Sequence, residues 1–203
     1  MKNGMDSTHL DNIALRLEKK YGRDMTSEIM RNAWVRYKEI VLENADEPKA
    51  MYAHTRKRIY PAIAAYDAMV MHGFPREETA DFLNGYYEER AAELGEKIRF
   101  IFRVPGLYRF IPRFFAKMAG TIFGESAGFR QVWHKNSGTE MRFDMVVCPY
   151  QDICVRYGCP EIVKGFCHAD DAAYGNMHPR VKWGRTKTLG KGGDMCDFQV
   201  TII

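Results

Sequence analysis

The chain has 203 residues, 46% of them apolar, and 30 basic against 26 acidic residues give a formal net charge of +4. That length and apolar content suit one ordinary core or two tightly packed ones, and the near-balance of charge excludes a nucleic-acid binder working by bulk electrostatics. No run approaches the roughly 18 uncharged apolar residues of a membrane span. Asp6, Asp11 and Lys19 interrupt the opening, so a secretory signal core is not expected and a cytoplasmic protein is.

The front half predicts helices. Leu10, Ile13, Ala14, Leu17 and Tyr21 recur at helical spacing, and Gly22 supplies a stop. After Asp24 and Thr26, both suitable caps, Met30, Ala33, Trp34, Tyr37 and Val41 repeat the pattern. A third helix carries Ile59, Ile63, Tyr66 and Val70, with Pro61 in its first turn and Gly73 and Pro75 at its exit. A fourth follows Pro75 with Leu83, Tyr86, Tyr87 and Leu94 inward, and Gly95 is expected to end it. These aromatic stripes read as core.

Between Arg99 and Lys117 lie five basic residues (Arg99, Arg103, Arg109, Arg113, Lys117), no acid, and a run of aromatic and aliphatic side chains. Such a segment can rest on an anionic membrane or grip an acidic ligand. Pro105-Gly106 and Pro112 break it into short pieces, which favours a core-facing stretch whose arginines reach back to solvent.

After Gly128 the period changes to two. Phe129, Gln131 and Trp133 alternate, Asn136-Ser137-Gly138 is a turn, and Met141, Phe143, Met145 and Val147 alternate again, which predicts a hairpin. A helical insertion is expected over about 149–175, then strands over 180–187 and 196–202. The fold expected is α+β: a helical part over 1–120 packed on an antiparallel part of about four strands over 121–203.

All five cysteines fall in the last third, at Cys148, Cys154, Cys159, Cys167 and Cys196. An odd count in a chain without a signal core points to reduced thiols rather than a disulfide framework. Cys167 is three residues from Asp170 and four from Asp171, so on a helix either carboxyl shares a face with the thiol. Cys148 stands where the second strand hands over to a helix. Cys196 opens the last strand on the face of Phe198 and Val200, with Asp197 on the other face. A sheet can bring Cys148 and Cys196 beside Cys167. Each thiol has the alternative of being a small apolar filler, the favoured reading for Cys154 and Cys159. His168 and His178 flank the segment as further bases or ligands. No Cys-x-x-Cys occurs, so the zinc ribbon pattern is missed; zinc on Cys148, Cys167 and Cys196 with a carboxylate is the metal alternative, and no motif calls for another cofactor.

The ordered run of Cys148-Pro149-Tyr150, Gly158 to Glu161, Cys167 with Asp170 and Asp171, His178-Pro179 and Arg185 to Phe198 resembles the L-2-amino-thiazoline-4-carboxylic acid hydrolase family. The closing Gly190-x-Gly192-Gly193-Asp194-x-Cys196-Asp197-Phe198 is also similar to the end of vinyl-reductase-type small-molecule-binding domains, some of which bind zinc through cysteines. The first resemblance implies hydrolysis of a cyclic amidine, a 2-amino-thiazoline ring opening toward a carbamoylated cysteine. The electrophilic ring carbon would be attacked by a thiolate or by water directed by a carboxylate, while a second carboxyl protonates the leaving nitrogen. Catalytic candidates are then Cys167, Asp170, Asp171, Cys196, Asp197 and Cys148. Arg185 is expected to hold the substrate carboxylate, with Tyr150 and His168 as further binding residues. The second resemblance implies a non-catalytic sensor or carrier. Either way the expected partner is a small molecule; the oligomeric state stays open.

Overall fold

The computed structural model describes residues 8–203; Asp6 lies outside them. Helices α1 (Thr8–Tyr21) and α2 (Arg23–Glu43) meet at Gly22, whose φ of +84° suits a residue without Cβ. Gly22 is also the cap of α2, so neither Asp24 nor Thr26 takes that position: Asp24 sits in the first turn, and the Thr26 hydroxyl donates to the Gly22 carbonyl at 2.7 Å. A π-helical turn (Thr55–Ile59) leads into α3 (Tyr60–Met71), which holds Pro61 in its first turn as expected and is almost wholly buried. Helix α4 (Arg76–Ile101) runs straight through Gly95 instead of ending there. The reason is packing. A Cβ at Gly95 would lie 2.8 Å from the Ala172 carbonyl, so this glycine allows a close crossing rather than a stop. Leu94 beside it is 45% exposed and not a core residue.

Helix α5 (Ile111–Ile122) follows a short 3₁₀ turn, Leu107–Phe110, and packs on the sheet. The core-facing expectation for 99–117 holds for Tyr108, Ile111 and Phe115 but fails for Phe100, Phe110 and Phe114, which are 57–70% exposed. The strands are β1 (Arg130–Asn136), β2 (Glu140–Val147), β3 (Val181–Gly184) and β4 (Cys196–Ile202), in the order β1-β2-β4-β3 with every pair antiparallel. Between β2 and β3 lie α6 (Pro149–Arg156) and α7 (Val163–Tyr174), the expected insertion. Strand β3 is shorter than predicted because the amides of Thr186 and Lys187 bond to the Asp197 carboxylate.

The fold is thus α+β, with helices first and one antiparallel sheet at the C-terminal end. Met141, Phe143 and Met145 on β2 face Val200, Phe198 and Cys196 on β4 in register, and this row joins the helical core. Among the described residues, α4 and α7 make the most extensive helix–helix contact. Gly165 lets α7 approach Asn84, whose Oδ1 accepts from the Gly165 amide at 2.8 Å, while its Nδ2 donates to the Glu161 carbonyl at 3.2 Å.

Candidate active site

Between α4, α7, the π-helical turn and the sheet lies a cavity of about 390 Å³. That is within the range that holds drug-sized ligands. Of the residues singled out from the sequence, Cys148, Cys167, Cys196, Asp170, Tyr150 and Arg185 line it. Cys154 and Cys159 are fully buried in the core, away from the cavity, and act as fillers.

Four of the singled-out residues stand elsewhere. Asp197 is bound outside the cavity by the Thr186 amide (2.8 Å), the Thr186 hydroxyl (2.6 Å) and the Lys187 amide (2.6 Å). Burial opposes its charge, but these donors outweigh it and hold the carboxyl below its usual range. It fastens the turn after β3. His168 meets Glu88 at 2.5 Å on α4, outside the cavity lining. Asp171 accepts from Arg185 at 2.6 Å and from the Trp183 indole at 3.0 Å. His178 stacks on Tyr108, also away from the cavity.

Burial disfavours the thiolate at each of the cavity thiols. Burial pushes Cys148 up to about 12, against the Gln151 and Tyr150 amides. Burial takes Cys196 to about 11, although the Leu189 amide donates to its Sγ at 3.3 Å. Cys167 is raised by burial too, with the Arg185 charge working against the rise. It sits in the second turn of α7 rather than at the helix N-terminus, so it lacks the amide cluster that would favour a thiolate. Gly190 explains part of the terminal motif: a Cβ there would stand 2.8 Å from the Cys167 Sγ, so the loop covers the thiol.

Asp170 is different. Burial lifts its carboxyl to about 6 and Asp171 adds to the rise, while Arg185 and Arg58 hold it back. The Arg185 side chain is only 2% exposed and donates to Asp170 at 3.1 Å, to Asp171 at 2.6 Å and to the Cys167 carbonyl at 2.5 Å. A guanidinium fork so occupied orients the carboxylate and has little left for a ligand.

Two cations of the lining, Lys97 on α4 and Arg58, have no carboxylate within ion-pair distance among the described residues, whereas Arg90 pairs with Glu93 and Arg185 with Asp170 and Asp171. Arg58, a residue the sequence reading passed over, stands on the π-helical turn, outside the motif run. Single π turns recur at functional sites because the extra residue re-aims a side chain. Arg58 is steadied by a short chain of bonds. The His54 Nε2–H must donate to the Ile122 carbonyl (2.9 Å), which leaves Nδ1 to accept from the Tyr150 hydroxyl (3.0 Å). Burial keeps His54 neutral by lowering its pKa. The Tyr150 oxygen in turn lies 3.5 Å from the Arg58 Nη1. The signal in the sequence was the basic triplet Arg56-Lys57-Arg58 ahead of an apolar helix. His9 also lines the cavity, its pKa lowered to about 4 by burial and then by Arg58 and Arg90, so it is neutral.

No three His, Cys, Asp or Glu side chains among the described residues converge as a metal site would require. No helix among them is long and apolar enough to cross a membrane. No curated protein matches the chain. A family model described as L-2-amino-thiazoline-4-carboxylic acid hydrolase matches residues 52–200, well over half the chain and the whole of the ordered motif run. The chain belongs to the L-2-amino-thiazoline-4-carboxylic acid hydrolase family.

Proposed function

We propose that the protein hydrolyses a small cyclic amidine, breaking a C–N or C–S bond, and that Asp170 rather than a thiol handles the proton. The observation that carries this is that Asp170 lines the same cavity as Cys148, Cys167 and Cys196 and is held there by Arg185 at 3.1 Å; burial raises its carboxyl to about 6 and disfavours the thiolates beside it. A base is most useful when its pKa is near the working pH. At neutral pH Asp170 is largely ionised and attracts a protonated amidine. It takes a proton from water as the water oxygen bonds to the ring carbon between the heteroatoms. The ring C–N or C–S bond then breaks, Asp170 returns the proton to the leaving atom, and the added hydroxyl releases its remaining proton to solvent as it becomes the carbonyl. Applied to 2-amino-thiazoline-4-carboxylate, these steps yield a carbamoylated cysteine. Arg185 keeps Asp170 from rotating away, and Cys167, Cys148 and Cys196 contribute apolar wall.

The second reading, a non-catalytic binder, is favoured by the aromatic lining of the cavity. One assay separates the two. Purified protein is incubated with L-2-amino-thiazoline-4-carboxylate and the carbamoylated cysteine is followed by mass spectrometry. The hydrolase reading expects turnover that falls by roughly 10²–10⁴ in Asp170→Asn, the usual contribution of a positioned proton-transfer group. Binding without turnover by the wild type would leave the carrier reading.

A further inference from the structure

We infer that Arg58 is the anion anchor of the cavity, and that the natural ligand is a carboxylate with an apolar body larger than a 2-amino-thiazoline acid. This takes the cavity as the substrate site and so rests on the reading above. Three observations carry it. Arg58 lines the cavity, has no carboxylate within ion-pair distance among the described residues and is steadied by Tyr150, whereas Arg185 is paired with two carboxylates and Arg90 with Glu93; Lys97 is the other unpaired cation of the lining. A cavity of about 390 Å³ exceeds the needs of a single five-membered ring with two small substituents. Much of the lining is aromatic, with Phe123, Phe129, Phe166, Tyr174 and Phe198 among it. A polar ring alone would leave that apolar surface wet.

The test is calorimetric, with three probes: 2-amino-thiazoline-4-carboxylate, its 2-anilino analogue, and the methyl ester of the analogue. The anilino acid keeps the amidine and adds one aromatic ring. It is expected to bind about tenfold or more tighter than the amino acid, as burial of one ring allows. The ester is expected to bind about tenfold to a hundredfold more weakly than the anilino acid, the loss of one charge-assisted contact. Arg58→Gln should bring the acid down to the ester's level while leaving the ester unchanged, which also shows that the variant is folded; Arg58→Lys should recover part of the difference. Equal binding of acid and ester, persistence of their difference in Arg58→Gln, or tighter binding of the smaller acid overturns the inference. Asp170→Asn keeps the two claims apart. If it retains turnover while acid and ester remain distinguished, the hydrolytic role of Asp170 fails and the Arg58 anchor stands.

A different observation, at the surface, carries a second inference: the geometry points to the 99–117 face as a docking surface for an anionic lipid bilayer. Phe100 is 70% exposed, Phe110, Phe114 and Val104 each 57% and Ile101 53%, within one short stretch of chain. Interspersed with them in the chain are Arg103, Arg109, Arg113 and Lys117, all exposed and none within ion-pair distance of a carboxylate among the described residues; Arg103 lies over the Phe100 ring, and no acid occurs between Glu96 and Glu125. Exposed apolar side chains interleaved with unpaired cations match the headgroup boundary of an anionic leaflet. A second copy of the chain would meet this face with like charge. Co-sedimentation of the full chain with vesicles tests it. Pelleting is expected with phosphatidylcholine containing phosphatidylglycerol, not with phosphatidylcholine alone, and should weaken as salt rises. The pairs Phe100→Ser with Phe114→Ser and Arg103→Gln with Arg109→Gln should each cut vesicle affinity by about tenfold. These side chains lie outside the core, so thermal unfolding serves as the folding control. No pelleting, equal pelleting on both vesicles, or a dimer in sedimentation velocity that Phe100→Ser with Phe114→Ser abolishes would overturn it.

Discussion

At the residue scale, two of the three arginines that line the cavity, Arg58 and Arg185, are placed differently from what their sequence neighbourhoods suggest. Arg185 lies in the terminal motif and was the natural partner for a substrate carboxylate, yet its fork is spent on Asp170, Asp171 and the Cys167 carbonyl. Arg58 lies some 90 residues before the nearest motif and presents its charge to the cavity. Because Arg185 lowers the Asp170 pKa, Arg185→Gln removes a force that favours the carboxylate. The Asp170 pKa must then rise, and the acidic limb of the pH–rate profile should move above its wild-type position near 6. A limb that stays in place or moves down would mean that Asp170 is not the titrating group. Cys154→Ser is expected to leave turnover within about threefold, since the side chain lies outside the cavity, while costing stability because a hydroxyl replaces a thiol in a dry core. The thiol-to-carboxyl spacing of Cys167 and Asp170 was legible from the sequence, and both do face one cavity. The thiol's protonation was not legible, because it depends on burial by the Gly190 loop and by helices far away in the chain.

At the scale of elements, the α4–α7 crossing positions the site, because α7 carries Asp170 and α4 supplies the opposing wall. Gly95 and Gly165 make that crossing possible: a Cβ at either would meet backbone, at 2.8 Å and 2.6 Å. Gly95→Ala and Gly165→Ala should each destabilise by about 1–3 kcal/mol through overpacking, a fall of roughly 2–4 °C in melting temperature per kcal/mol. Gly120→Ala on α5 is the control: its Cβ would meet nothing within 4 Å, so replacing this helix-interior glycine should stabilise by roughly 0.5–1 kcal/mol. Scanning calorimetry that ranks Gly120→Ala below Gly165→Ala would contradict the packing account. The strands were legible because period two with one buried face admits few alternatives. Gly95 was misread for a general reason. Glycine at a helix end and glycine at a helix crossing look alike in one chain, and only the partner helix distinguishes them.

At the scale of the whole molecule, the cavity draws on His9, Arg58, α4, Phe123, β2, α6, α7 and β4, from nearly one end of the described chain to the other. No local pattern in the sequence announces such convergence. The exposed aromatic face at 99–117 was legible as unusual but not as exposed, since amphipathic spacing alone cannot say which side a short broken helix turns to the core. The zinc alternative has a direct check. Because no three ligating side chains converge among the described residues, elemental analysis of the purified protein is expected to return well under one zinc per chain, with turnover insensitive to chelators. Stoichiometric zinc lost together with activity would favour a metal site. The most direct test of the central claim is the pH dependence of kcat/KM for 2-amino-thiazoline-4-carboxylate in wild type, Asp170→Asn and Cys167→Ser. The account predicts a wild-type rate that rises with pH through about 6, a limb kept by Cys167→Ser and lost from Asp170→Asn together with most of the rate. A limb in the thiol range, well above neutrality, that Cys167→Ser abolishes and Asp170→Asn retains would contradict it.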